Sequence, residues 1–229
     1  GGVPFYTTSN EVAGERLIDV AGSTVRLALW SEVSSDGRTV PHYAISLDGS
    51  EMATVRETSY VMALRYAKFD PEVTEPSVPS ALVAREGSNL YMVQFVTQPL
   101  EEYRAAIEAM GGKVHKYIAN HGHFVRMTPG VREAVEALPF VRWVGPVHPA
   151  YKLEEEIREQ ILTDAEIAPR RYSIMLHERG IAAQDRVMAK IAEMGGEIHG
   201  STPLGFRIEA TLTLQHVGEI AALDDVMFI

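Results

Sequence analysis

The strongest constraint on this chain is a repetition. Glu108–His115 reads EAMGGKVH and Ala192–His199 reads AEMGGEIH. A single Gly-Gly match would mean little, but the flanking segments also correspond in order. Leu138-Pro139-Phe140-Val141 answers Leu223-Asp224-Asp225-Val226, and Phe124 answers Phe206. Ordered matches over some 60 residues imply that one supersecondary unit occurs twice.

The first copy can be read element by element. Tyr91, Val93 and Phe95 alternate with Met92, Gln94 and Val96, which predicts a strand. Pro99 opens a helix whose apolar face carries Leu100, Tyr103, Ile107 and Met110. Gly111-Gly112 ends it, because glycine accepts the left-handed backbone of a helix C-terminus. Strands follow over 114–118 and 124–127, separated by Asn120-His121-Gly122. Thr128-Pro129 supplies an N-cap and a first-turn proline for a helix bearing Val131, Ala134, Val135 and Leu138. Val141–Val144 closes the unit as a fourth strand.

The second copy repeats this order. Tyr172, Ile174 and Leu176 form a strand, and Val187, Ile191 and Met194 lie on a helix ended by Gly195-Gly196. Strands are predicted over 197–199 and 206–209, then a helix capped by Thr213, then a last strand over Val226–Ile229. The order β-α-β-β-α-β predicts an α+β chain of two tandem ferredoxin-like modules, each a four-stranded antiparallel sheet with both helices on one face. The other face would be bare, which invites a partner.

Ahead of the repeats, residues 1–70 read as a β-rich leader. Val25, Leu27 and Leu29 alternate with their neighbours. His42–Leu47 and Met52–Arg56 flank an Asp48-Gly49-Ser50 turn, and 61–66 suggests a further strand. Pro71, Pro76 and Pro79 mark 71–88 as an extended linker. The modules then occupy 89–152 and 169–229, joined over 153–168 by an acidic amphipathic helix carrying Ile157, Ile161 and Leu162.

The 229 residues carry 21 basic and 31 acidic side chains, for a net charge of −10. Nucleic-acid and anionic-membrane partners are therefore not expected. No apolar run is long enough for a transmembrane helix. The N-terminus lacks signal-peptide character, so any signal peptide is expected to be already removed or never to have been present. Without cysteine there is neither a disulfide nor a thiol nucleophile.

No G-x-S-x-G or Gly-Thr-Ser-x-Ala segment supports a hydrolase, and Ser23 and Ser201 lie in predicted turns. The paired glycines follow helices rather than precede them, so they do not form a phosphate cradle. No cofactor is expected. His115, His121 and His123, with His148, are weak candidate metal ligands, and a polar hairpin with an exposed sheet face explains them better.

One resemblance adds to this reading. The strand YMVQF, the helix end MGGKVHKYI, the strand HFVRM, the helix start TPGVREAVEAL and the closing PFVRWVGPVHPAYK resemble the propeptides of subtilisin-like serine proteases. The likeness covers the first repeat and, more loosely, the second. The whole chain resembles the N-terminal regions of large secreted bacterial subtilases, in which a β-rich leader precedes tandem propeptide-like modules.

The resemblance implies a non-catalytic chain, secreted or periplasmic, that assists folding of a subtilisin-like catalytic domain and inhibits it. It would dock through open sheet faces and lay an extended tail in the cleft. That tail would be Pro146, Val147, His148, Pro149, Ala150, Tyr151 and Lys152. The second repeat lacks such a tail, and its last strand, Val226, Met227, Phe228 and Ile229, is a further candidate contact. Two alternatives stay open: a tandem regulatory module with a small molecule between its halves, and a stand-alone protease inhibitor.

Overall fold

The computed structural model describes residues 5–53, 55–202 and 204–229. It is a mixed α+β chain.

Four leader strands, β1 (Glu11–Asp19), β2 (Arg26–Val33), β3 (Thr39–Ser46) and β4 (Arg56–Glu57), pair in that order as one antiparallel sheet. The Asp48 turn forms as its sequence demands. Gly49 has φ +77°, and the Asp48 carboxylate accepts from the Ser50 amide at 2.9 Å. Among the described residues the return strand is shorter than expected, with ladder pairs at Arg56 and Glu57 and one further bond from the Ala53 amide to the Ile45 carbonyl at 2.8 Å. Leu27, Leu29, Tyr43 and Ile45 turn toward the first repeat and share its core.

The predicted strand at 61–66 is instead half of a miniature hairpin, β5 (Met62–Ala63) with β6 (Lys68–Phe69). The proline-rich stretch after it is not a free linker. Ser80–Leu82 forms a 3-10 turn, and Leu82, 1% exposed, sits in the core of the second repeat.

The first repeat runs β7 (Leu90–Phe95), α1 (Glu101–Ala109), β8 (Lys113–Ile118), β9 (Gly122–Arg126), α2 (Pro129–Glu136) and β10 (Val141–Pro146). Its antiparallel sheet has the order β10-β7-β9-β8. Tyr103 and Ile107 anchor α1. The Tyr103 ring stacks on Phe140 at 4.2 Å, and its hydroxyl meets Thr97 Oγ1 at 2.8 Å. Burying rings of this size stabilises by about 1.5–3 kcal/mol each. Met110 is a correction. It was expected on the buried helix face, but it is the residue after the last helical turn and is 38% exposed. At α2 the Thr128 hydroxyl caps the Val131 amide, with Pro129 in the first turn.

After α3 (Glu155–Leu162), the second repeat runs β11 (Arg170–Leu176), α4 (Ile181–Glu193), β12 (Glu197–Ser201), β13 (Arg207–Leu212), α5 (Leu214–Ala221) and β14 (Val226–Phe228). The sheet order is β12-β13-β11-β14. In both sheets, therefore, the repeat's strands stand in the order fourth, first, third, second. Val187 and Ile191 of α4 and Val217 and Ile220 of α5 bury against Ile174, Leu176 and Ile208.

The paired glycines divide the labour. Gly111 (φ +94°) and Gly195 (φ +76°) take the left-handed turn that ends each helix. Gly112 and Gly196 are needed for space. A Cβ on Gly112 would lie 2.6 Å from Ile107 Cγ2, and one on Gly196 would lie 2.8 Å from Ile191 Cγ2.

Candidate binding surfaces

Each repeat's sheet has one face under its helices and one face opposite. The opposite faces of the two repeats are treated differently. In the first repeat it is sealed by the chain itself. Met62 and Phe69 of the β5–β6 hairpin pack onto Leu90, Met92 and Ile118, with Phe124 and Trp143 at the margin. Polar bonds fix this lid. Gln94, fully buried on β7, donates to the Tyr60 carbonyl at 2.8 Å and accepts from Arg142 at 2.8 Å. Arg142 also pairs with Asp70 at 2.7 Å and with Glu72 at 2.9 Å, and its guanidinium lies 4.2 Å over the Tyr60 ring. The expectation of a bare sheet here is corrected: apolar residues far back in the chain had a matching apolar face to cover.

The expected tail, 146–152, is also corrected. It is neither extended nor free. Val147, 2% exposed, continues the β7 pairing by donating to the Leu90 carbonyl at 3.1 Å and packs beneath the lid. His148 accepts from the Ala84 amide at 2.9 Å. Pro149–Lys152 coils into a 3-10 turn in which Pro149, Ala150 and Lys152 are buried. The Tyr151 ring packs 5.2 Å from Tyr66. Only Pro146 is exposed. Prolines suited to an extended tail are here used at a turn, because the segment must carry the chain from one core into the next.

Lys152 Nζ donates to the Leu223 carbonyl at 2.8 Å. Burial pushes this ammonium down to about 8, against the opposing pull of Asp224 and Asp225. Its backbone carbonyl accepts from Ile229, and the Ile229 carbonyl accepts from Glu154, so 152–154 covers part of the edge of the last strand. Of the four residues expected there as a contact, Val226 and Ile229 are therefore buried, while Met227 and Phe228 stay half-exposed.

The repeats meet where the β8–β9 hairpin abuts the ends of β11 and α5. Asp225 is the hub, paired with Arg126 across the junction at 2.9 Å and with Arg186 at 2.7 Å. Burial raises its carboxyl, but Arg186 and Arg126 together outweigh that and hold it below the ordinary aspartate range. Lys113 pairs with Glu178, and Ser88 donates to Asp224 at 2.7 Å. The His177 ring lies 5.2 Å from His115 and 5.1 Å from Phe124.

In the second repeat the face opposite the helices is polar and, among the described residues, largely open, with Arg65 lying 4.9 Å over the Phe228 ring at its margin. Arg171 and Ser173 on β11 stand beside Thr211 and Glu209 on β13, and Met175 stands between Arg207 and Phe228. Arg171 and Arg207, about 60% and 58% exposed, both pair with Glu209, and Arg171 leads in drawing its carboxyl below the usual range. His199 meets Thr211 Oγ1 at 2.7 Å. Beside β14 this face deepens into a groove of about 560 Å³, whose lining includes Arg171, Ser173, Met175, Phe228 and Glu154.

The histidines do not converge. His121 lies against Thr58, Tyr43 and Tyr60, and burial pushes it down to about 4. His123 is tied to the His115 carbonyl at 2.9 Å, and His148 to Ala84. Among the described residues no group of three or more His, Asp or Glu side chains is arranged to hold a metal ion.

Two features escaped the sequence reading, the lid and the junction. One signal bore on the lid. LYMVQFV is a nearly unbroken apolar run, the mark of a strand buried on both faces, whereas RRYSIML alternates cleanly. Nothing local distinguishes His177.

A domain of unknown function (DUF8729) matches residues 63–148, which run from the lid hairpin through the first repeat to His148. No curated protein matches the chain, and neither does any solved structure. Among the described residues no helix is long and apolar enough to cross a membrane.

Proposed function

We propose that the chain is a non-catalytic, propeptide-like region built from two ferredoxin-like modules, and that the second module docks on a subtilisin-like catalytic domain. The observation that carries this is the asymmetry of equivalent surfaces. The first repeat spends its sheet face on its own lid, while the second leaves the same face largely open beside a half-exposed Met227 and Phe228. The leader, lid and first repeat then act as a platform that holds the second module at its edge. Because the 146–152 segment is buried, inhibition on this reading comes from the second module's face and last strand. The setting would be secreted or periplasmic.

The test is inhibition and refolding of a subtilisin-type protease by the purified chain. Slow, tight inhibition or a raised refolding yield is expected. It should weaken at least tenfold in an Arg171→Ala/Arg207→Ala/Met175→Asp variant and persist in a Pro146→Ser variant. Neither inhibition nor chaperoning by the folded wild-type chain would end the reading. A metabolite that raises the melting temperature would favour the regulatory-module alternative instead.

A further inference from the structure

We infer that the junction between the repeats is an acid-released latch: protonation of His115 and His177 frees the β8–β9 hairpin of the first repeat from the second. The inference rests on the junction's geometry and is independent of the proposed protease partner.

The two imidazoles are stacked at 5.2 Å with their planes 30° apart, and Phe124 closes the side of His177 at 5.1 Å. The His115 side chain is 4% exposed and His177 is 8% exposed. Among the described residues, neither ring nitrogen of His177 has a hydrogen-bond partner, nor has Nε2 of His115. Buried polar atoms are rarely left so, and a neutral ring tolerates the lack far better than an imidazolium.

The charged groups facing the pair come from every packed element. Lys113 and Lys116 on β8, Arg126 on β9, Lys152 in the connecting turn and Arg186 on α4 are cationic. Glu178, Asp224 and Asp225 are anionic. The anions are already engaged: Asp225 by Arg126 and Arg186, Glu178 by Lys113, and Asp224 by Ser88 and the Asn89 amide. The nearest, Glu178 Oε1, is 3.8 Å from His115 Nε2. A proton on either ring would thus add a buried positive charge to a set already rich in cations.

Burial pushes His115 down to about 4, with Glu178 opposing. Burial, the neighbouring His115 and the cations push His177 down to about 2. Both rings are neutral when the junction is closed and regain an ordinary affinity, near 6.5, when it opens. The open form therefore binds more protons, and closure weakens as pH falls below about 6.5. Between pH 7.5 and 5 the open-to-closed ratio should rise roughly 25-fold for each histidine. Despite their burial, the Asp225 and Glu178 carboxyls are held below their ordinary values, Asp225 by Arg186 and Arg126 and Glu178 by Lys113 and Arg126.

The experiment is hydrogen–deuterium exchange and small-angle scattering on the full chain from pH 7.5 to 4.5. Exchange, corrected for its intrinsic pH dependence, should rise in 113–126 and 176–178 while the Tyr103–Ile107 helix stays protected. The radius of gyration should grow. In a His115→Gln/His177→Phe variant, opening should shift below pH 4.5. Opening at an unchanged pH in that variant, or no wild-type opening above pH 4.5, would overturn the latch. Should the double variant not fold, imidazole proton shifts in the wild type decide. Titration of both rings near 6.5 with the junction still closed refutes the proposal, and titration coincident with the exchange change supports it.

Discussion

Arg126, the last residue of β9 in the first repeat, reaches 2.9 Å across the junction to Oδ1 of Asp225, which precedes β14 in the second. One carboxylate thereby joins two separately folded sheets, since Arg186 of the second repeat holds it as well. Without it Arg186 would lose its carboxylate partner, and Arg126 would keep only the longer contact to Glu178 at 3.9 Å.

Asp225→Ala should therefore destabilise the chain by about 1–3 kcal/mol, less than the loss of a fully buried ion pair, because the Arg186 side chain is 52% exposed. Its folded-state carboxyl titrates below the unfolded value, so its contribution is present above about pH 4 and fades as pH falls further. Urea unfolding at pH 7 and pH 3 checks this. The gap between wild type and variant should be smaller at pH 3 than at pH 7.

The Gly-Gly pairs separate two physical effects. Gly111→Ala and Gly195→Ala meet little in space but force a side chain into a left-handed backbone, at a cost of about 1 kcal/mol. Gly112→Ala brings a methyl within 2.6 Å of Ile107 Cγ2 and 3.1 Å of its carbonyl oxygen, and should lose about 2 kcal/mol or more. Thermal unfolding of these three variants and of Gly196→Ala, whose methyl would lie 2.6 Å from Leu212 Cδ2, would expose the ranking. Equal losses at both positions of a pair would contradict it.

The lid has an optical reporter. A Cβ on Gly145 would fall 2.0 Å from the indole of Trp143, whose Nε1 donates to Glu75 at 3.1 Å. Gly145→Ala must expel that ring. In a Trp30→Phe background, its emission should shift to the red and proteolysis within 60–80 should quicken. Phe69→Ala, which empties the lid's own anchor, should cost about 3 kcal/mol.

Glu32 holds the N-terminal segment to the leader sheet. Asn10 and Tyr6 lead in pulling its carboxyl down to about 2, with Thr8 and Trp30 contributing. The folded value lies below the unfolded one. The staple is thus complete above about pH 4.5 and is lost as pH drops toward 2. Glu32→Gln should show fast amide exchange over 5–10 already at pH 7, matching the wild type at low pH.

The repeat order, the helix ends and the caps were legible because each is decided within a few residues. Thr128 and Thr213 both cap, and Gly111 and Gly195 both turn left-handed, as their local sequence requires. Met110 was misread because periodicity continues past a helix's end, where the C-cap residue no longer points inward. Gln94 reads as solvent-facing from its strand alone, yet it is buried by Tyr60 and Arg142, which lie 34 and 48 residues away.

By itself, then, the sequence determined that one β-α-β-β-α-β unit occurs twice and where its helices are capped and turned, since backbone conformation and amphipathic period are local properties. Only the tertiary structure decided which sheet face is sealed, that 146–152 is buried between two cores, and that His115 meets His177. Those outcomes depend on which distant apolar surface is available to exclude water. The apolar run LYMVQFV calls for cover on both faces, but what supplies that cover is decided only when the rest of the chain has folded around it.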